Sequence, residues 1–375
     1  MSAGRTKNTM TKIALTLIVK NEEKNIEECL DSLQGFYDKA FITDTGSTDQ
    51  TIEVLKKRSD VTLSHFKWVD DFAKARNYNL QQVPENYDWI IWCDADDRII
   101  DDDAAKKFRE FIKTIPETVN SVNMPYVYSH NNQTIERGIP EFQYHRKRLI
   151  RNNGSCEWKG FIHEHPATSG PEIKWGEVVF HHYRDGTGKM NTKRNLRIFR
   201  KHLQTMSGGD LARYTFYYAK ELVYNNLLDE ALKEFDKYVP MSRWVPEKAR
   251  ALLEMGLIYE RTKRPLEARK KAFECLEIEP HNSDAHLLLC RLAYNEKDYQ
   301  ASYLWAYHAL HSDEEKVLFF DYLPARTWKP LEYMAWCRYY QGKPEEALKH
   351  IIEALEYVPK HSHLLETKKK FNKYI

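Results

Sequence analysis

A chain of 375 residues, 42% apolar and 30% charged, is long enough for two domains and has the balance of an ordinary folded protein. Its formal net charge of +2 leaves no global electrostatic case for nucleic acid. The six cysteines, at 29, 93, 156, 275, 290 and 337, include no CxxC pair; this argues against a zinc ribbon or thioredoxin-type site and suits reduced thiols in a cytoplasm.

The polar start, MSAGRTKNTMTK, is followed by seven apolar-rich residues, too few for a membrane span and lacking the small-residue cleavage site of a signal peptide. Residues before Met10 are expected to be an extension. Neither GxxxxGK[ST] nor GxGxxG occurs, against a P-loop ATPase or an ordinary Rossmann dehydrogenase. From Ile13 onward strand and helix alternate. IALTLIV is a buried strand, NIEECLDSLQGF a helix, and AFITDTG a strand ending at Asp44. STDQTIEVLKKR is a helix with Ser47 and Thr48 as caps, VTLSHF a strand, DDFAKARNYNLQQV a helix and DWIIWC a strand. Such alternation predicts a mostly parallel α/β sheet, whose ligands bind beyond the carboxyl ends of the strands. Those ends carry Lys20 to Glu22, Asp44 to Asp49 and Asp94 to Asp97.

Carboxylates as close as Asp94, Asp96 and Asp97 repel one another. A D-x-D at a strand end gives hard oxygen ligands for Mn2+ or Mg2+ shared with a diphosphate, and a bound cation would offset that repulsion. Asp101 to Asp103 are read as a cap for the following helix. Further on, CEWKGFIHEHP and VVFHHYRDG supply Glu164, His163, His181 and His182, and HRKRLIR supplies a basic edge that, with Arg184, could neutralise phosphate or simply be solvated.

After about residue 208 the chain becomes helical and repetitive. Alanines 231, 268, 301 and 347 align with separations of 37, 33 and 46 residues, near the tetratricopeptide period of about 34. Leu253, Gly256 and Tyr259 match its L-x2-G-x2-Y signature, and an insertion is expected within EEKVLFFDYLPARTWKP. Two domains are therefore expected, 11–207 and an all-α repeat domain at 208–375.

The joint pattern of TLIVKNEEKNIEECLDSL, FITDTGSTDQTIEVL, FAKARNYNL and DWIIWCDADD resembles a family 2 glycosyltransferase with the GT-A fold, closely over residues 12 to about 100 and more loosely to about 205. The resemblance implies sugar transfer from a nucleoside diphosphate donor, usually with inversion. It implies that Thr16, Leu17 and Glu22 line the nucleoside pocket, that Asp44 contacts the base, and that Lys74 and Arg76 lie near base or diphosphate. Asp94, with Ala95, would meet the ribose or sugar and Asp96 the metal; apart from the resemblance, His181 or His182 could complete the metal shell or contact the leaving phosphate, and His182 is the ligand expected. An inverting enzyme also needs a base, for which Glu164 is the expectation and His163 the substitute; Glu164 could instead pair with a cation such as Arg148. Trp158 and Phe161 are apolar neighbours able to raise its pKa.

The two-part plan is similar to peptide glycosyltransferases that modify cysteine or serine in bacteriocins, and to bacterial and phage transferases of lipopolysaccharide core sugars. The donor expected is a UDP-sugar carrying a hexose or N-acetylhexosamine. The acceptor is a peptide or protein first, docked on the repeats, then a saccharide, then a modified nucleic-acid base. A homodimer through the repeats is a further expectation. Two competing classes are a non-catalytic repeat scaffold carrying a relic sugar-nucleotide domain, and a nucleotidyltransferase, whose usual Gly-rich N-terminal loop is missing.

Overall fold

The apolar run at residues 13–19 forms β1 (Ile13–Val19) because both its faces find cover, and five of its seven residues are at most 2% exposed. In this computed structural model, which describes residues 11–130, 140–183, 192–313 and 321–374, it pairs in parallel with β2 (Lys39–Asp44) and β4 (Trp89–Trp92). Outside β2 lies β3 (Val61–His65), also parallel. Beyond β4 the sheet turns mixed. The strands that follow are β5 (Asp97–Arg98), β6 (Ser121–His130), β7 (Pro140–Arg151), β8 (Cys156–Lys159), β9 (His165–Thr168), β10 (Glu172–Lys174) and β11 (Phe180–His182), with a short β12 (Asp321–Tyr322) far along the chain. The order is β3-β2-β1-β4-β7-β6-β11-β5, with β10 beside β6 and β8–β9 forming a separate hairpin. The α/β expectation holds, and all four strands before Cys93 were legible as strands.

Side chains alternate across the sheet, as the twofold strand period requires. Leu15, Leu17, Ile42 and Ile91 join α1 (Ile26–Ser32) and α4 (Ala104–Ile112) in one core, through Cys29, Leu30 and Phe108. Ala14, Phe41 and Ile90 pack with Val83 on another cluster, and Trp92, Ile150 and Trp158 pack with Ala73 of α3 (Phe72–Leu80) on a third. Each such large side chain contributes about 1.5–3 kcal/mol by leaving water. Helix α2 (Thr51–Lys56) starts later than expected, and Ser47 and Thr48 do not cap it. Asp101 accepts from the Asp103 N–H at 3.0 Å, so an Asx turn leads into α4, while the Asp103 side chain makes no cap bond.

The chain divides into two compact units, residues 1–138 with 143–189, and residues 139–142 with 190–375. Helix α5 (Thr192–Leu203) thus falls with the helical unit rather than with the α/β one. Antiparallel hairpins follow: α6 (Asp210–Tyr224) with α7 (Leu228–Met241), α8 (Val245–Arg261) with α9 (Pro265–Ile278), α10 (Ser283–Asn295) with α11 (Tyr299–Leu310), and α12 (Trp328–Tyr340) with α13 (Pro344–Tyr357). Helix α14 (Ser362–Phe371) packs on α13. The four hairpins turn identically. Asn226, Lys263, Lys297 and Gly342 sit at φ of 59, 56, 64 and 76°. The N–H after each reaches back to the carbonyl of Leu222, Tyr259, Ala293 or Arg338, the Schellman arrangement. The buried small residue five positions after each turn is Ala231, Ala268, Ser302 and Ala347. Ser302, not Ala301, is therefore the aligned position, and the second-to-third separation becomes the full tetratricopeptide period of about 34. Gly256 is needed where α8 meets α10, since a Cβ there would stand 2.8 Å from Leu288 Cδ2. The insertion lies between α11 and α12, where a 3-10 turn, Leu323–Arg326, precedes α12. The extension before Met10, and Arg184, lie outside the described residues.

Candidate active site

Beyond β1 and β2 the chain is laced across the strand ends. Asn21 adopts φ 58°, which asparagine tolerates. Its N–H donates to Ser47 Oγ at 2.9 Å, and its Oδ1 accepts from the Thr48 N–H at 2.7 Å. The Glu22 N–H donates to Thr51 Oγ1 at 2.7 Å, and the Gln50 N–H to Glu23 Oε2 at 2.9 Å. Ser47 and Thr48 therefore tie two loops together instead of starting a helix. Asp44, 3% exposed, accepts from the N–H groups of Gly46 (2.9 Å) and Ser47 (3.0 Å), with His65 Nδ1 3.6 Å away. Its carboxylate holds the turn at the rim. Burial pushes the Glu22 carboxyl up, against its hydrogen bond from Asn25, and Asp94 and Asp49 add to the rise. Thr16 and Leu17 lie inside β1, both buried, and the Leu17 side chain is part of the core beneath the sheet, so only its backbone could face a ligand.

At the end of β4 the D-x-D segment closes into a turn. The Asp97 N–H donates to the Asp94 carbonyl at 3.0 Å, and the Asp94 N–H to Asp97 Oδ2 at 2.9 Å. The same Oδ2 meets Arg148 Nη1 at 2.8 Å, and Asp97 Oδ1 is buried with no hydrogen-bond partner among the described residues. Ala95 turns into the core and is 4% exposed, so it offers no side chain to a ligand. Asp94 meets Arg76 Nη2 and, at 3.4 Å, Arg146 Nη1. Burial alone would raise its carboxyl, but Arg76, then Arg146 and Arg148, outweigh burial and hold it well below the usual carboxylate range. Asp96 is driven the other way: burial, then Asp97, Asp94 and Glu22, push its carboxyl well up.

Strand β11 completes this corner. It pairs antiparallel with β5, placing His182 opposite Asp97, and the Tyr183 N–H donates to the Asp96 carbonyl at 2.7 Å. His182 Nδ1 stands 3.7 Å from Asp96 Oδ2 and its ring stacks on Tyr128. One ligand atom from each of Asp96, Asp97 and His182 lies within 4.8 Å of the others, the only such group of three among the described residues. His181, opposite Arg98, is not part of it. The expected Asp96–His182 pairing thus comes together in space, and Asp97 joins it.

Helix α3 brings Glu164 to the same corner. Asp71 caps the helix, accepting from the Lys74 N–H at 3.0 Å. Arg76, 5% exposed, reaches Glu164 Oε1 with Nε at 2.7 Å and Asp94 with Nη2, while its guanidinium lies 4.8 Å from the Trp92 ring and 4.6 Å from that of Trp158. The cation on Glu164 is therefore Arg76, not Arg148, which belongs to Asp97. Asn77 clamps the neighbouring strand: its Nδ2 donates to the Trp158 carbonyl at 2.9 Å and its Oδ1 accepts from the Trp158 N–H at 2.8 Å. Lys74 is an exposed residue beside Asp71. His163 is exposed in the left-handed region at φ 50°. Arg146 and Arg148 were legible only as a basic run; their spacing of two along a strand puts both on one face, toward the acidic turn.

Residues 15–167 match Glycosyl transferase family 2, and residues 219–277 match a tetratricopeptide repeat family. The SPbeta prophage-derived glycosyltransferase SunS of Bacillus subtilis (strain 168) is 26% identical over 247 residues, which cover 62% of this chain and 54% of that protein. A TPR repeat-containing protein of Synechococcus elongatus is 25% identical over 207 residues, 52% of this chain and 48% of that protein. The chain spans about half the length of these curated relatives. Among solved structures, MamA is similar with a TM-score of 0.38 at 14% identity, over 45% of this chain and 90% of that one. Residues 15–167 are thus similar to family 2 glycosyl transferases and residues 219–277 to tetratricopeptide repeats.

Proposed function

We propose that this chain is an inverting, metal-dependent glycosyltransferase that moves a hexose or N-acetylhexosamine from a UDP-sugar to a peptide or protein, with a saccharide as the next acceptor class. The observation that carries it is the meeting, at one sheet rim, of the Asp96–Asp97–His182 group with Glu164 held through Arg76 and Asp94. Two carboxylates and an imidazole suit Mn2+ or Mg2+, and the buried, unpartnered Asp97 Oδ1 is what a cation would satisfy. When bound there, the cation would draw charge from the departing diphosphate. Asp44 and Glu22 stand where the nucleoside would meet the rim. Glu164 takes the acceptor's proton as the acceptor atom bonds to the anomeric carbon and the bond from that carbon to the diphosphate oxygen breaks on the opposite face. The configuration inverts, the proton resides on Glu164 and UDP leaves. His163, exposed and one residue away, is the less constrained group for that role. The repeats are the surface on which a peptide acceptor would dock. No described helix is long and apolar enough to cross a membrane, and the six free cysteines suit a reducing, cytoplasmic setting.

The test is a panel of UDP-, GDP- and dTDP-sugars with Mn2+ or Mg2+, scoring release of nucleoside diphosphate. Wild-type protein should release UDP, and Glu164→Gln should bind the donor yet not turn it over. No turnover of any donor, with no thermal stabilisation by UDP and Mn2+, points instead to a repeat scaffold.

A further inference from the structure

Glu164 and Asp94 come from distant parts of the chain and share one cation. Arg76 links them with two separate nitrogens of its guanidinium, Nε to Glu164 and Nη2 to Asp94. Its guanidinium also lies against the indoles of Trp92 and Trp158, 4.8 and 4.6 Å from their centres, and the two indoles meet edge-to-face at 4.7 Å. The backbone around it is fixed as well. The Phe72 N–H donates to the Phe161 carbonyl at 2.9 Å, and Asn77 holds Trp158 by both its N–H and its carbonyl. The first turns of α3 therefore carry the 158–164 segment, and Arg76 sets where its carboxylate ends.

We infer that Arg76 is a positioning residue: it fixes Glu164 relative to the Asp94 turn, and so relative to the reacting sugar, and it does not bind the donor itself. This rests on the reading of Glu164 as the base. Donor binding is the role the sequence suggested for Arg76, and the geometry argues against it. Arg76, 5% exposed and with two carboxylates and two aromatic rings as partners, would have to break charge-assisted bonds to reach a phosphate. A cation beside Asp94 with more access is Arg146, whose side chain is 24% exposed and 3.4 Å from Asp94. Two arginines and two carboxylates then balance in charge across the corner. Lysine cannot hold the same bridge, because its single ammonium nitrogen has no two donor nitrogens set rigidly apart in a plane.

The experiment uses the full chain, Mn2+ and whichever UDP-sugar the wild type hydrolyses, and follows UDP release in Arg76→Lys and Arg76→Gln. A base displaced by about 1 Å costs about 100-fold. The expected result is a fall in kcat of about 30- to 100-fold in Arg76→Lys, with the KM for the donor within about threefold of wild type. Added guanidinium ion should restore at least about tenfold of kcat to Arg76→Gln while leaving wild type unchanged. Arg76→Lys keeps a cation beside the indoles, so it decides the matter if Arg76→Gln does not fold. A raised donor KM with kcat unchanged would make Arg76 a donor ligand and overturn the inference. So would wild-type kcat in Arg76→Lys, or its complete loss of folded protein, which would make Arg76 structural. A wild type that hydrolyses no donor defeats the glycosyltransferase reading instead, a separate failure.

Discussion

Arg148 and Asp97 form an ion pair in which neither side chain is exposed to solvent, with Nη1 2.8 Å from Oδ2. Arg148 also lies against the rings of Trp92, Tyr126 and Phe180 at 4.3, 4.6 and 4.8 Å. Removing one partner of such a pair leaves a charge buried without compensation, which costs about 3–5 kcal/mol. Arg148→Met should lose that much stability, measured by urea unfolding of the α/β unit through tryptophan fluorescence. Adding Asp97→Leu should recover part of the loss, since two apolar groups leave no charge behind. A single-variant loss below about 1 kcal/mol would mean that water reaches the pair.

Asp96 lies at the opposite extreme. Its carboxyl is raised by burial first and by Asp97, Asp94 and Glu22 next. A raised folded-state value contributes stability below the ordinary carboxylate range, and that contribution is lost as pH rises through the raised value. Without metal, Asp96→Asn should therefore have a higher thermal midpoint than wild type near pH 8 and a similar one near pH 4. Mn2+ should raise the wild-type midpoint more near pH 8 than near pH 5, and should not raise that of the variant. Calorimetry with and without MnCl2 checks both; an undiminished Mn2+ shift in the variant would remove Asp96 from the cation site.

In the helical unit, burial raises the Asp284 carboxyl to about 6, against the pull of Arg250 and Arg291. Arg250 Nη1 is 3.7 Å from Asp284, while its Nη2 is committed to Glu254 at 2.8 Å, which is why the cation does not win at Asp284. The resulting stability is full below the unfolded value and is lost as pH rises through about 6. Asp284→Asn should flatten the pH dependence of helical-unit unfolding between about pH 4 and 6, followed by far-ultraviolet circular dichroism. A slope unchanged in that window assigns it to another group.

Much of the α/β unit was legible because its strands are short apolar runs bounded by polar loops, a pattern that survives without any knowledge of partners. Lys39–Asp44 and Trp89–Trp92 are cases in point. What a sequence cannot carry is which of two adjacent small residues is buried. Ala301 and Ser302 stand side by side, and Ser302 is accepted into the core because its hydroxyl meets Cys290 Sγ at 3.4 Å. At the site, Asp96 and His182 meet through strand register, which follows from a polar motif at each strand end. Arg76 was legible as a charge but not as a bridge, since its Glu164 partner is 88 residues away. Leu17 and Ala95 were assigned to a pocket from their position in a motif, although their apolar side chains fit the core better than a polar rim.

The four hairpin turns share one geometry but not one residue type. Asparagine and glycine enter the left-handed region at little cost, whereas lysine pays roughly 1 kcal/mol there. Lys263 and Lys297 occupy it at the two central turns. In an array whose stability is a sum over repeats and their neighbours, those turns weaken the two central hairpins themselves, so local opening would begin in the middle of the row as readily as at its ends.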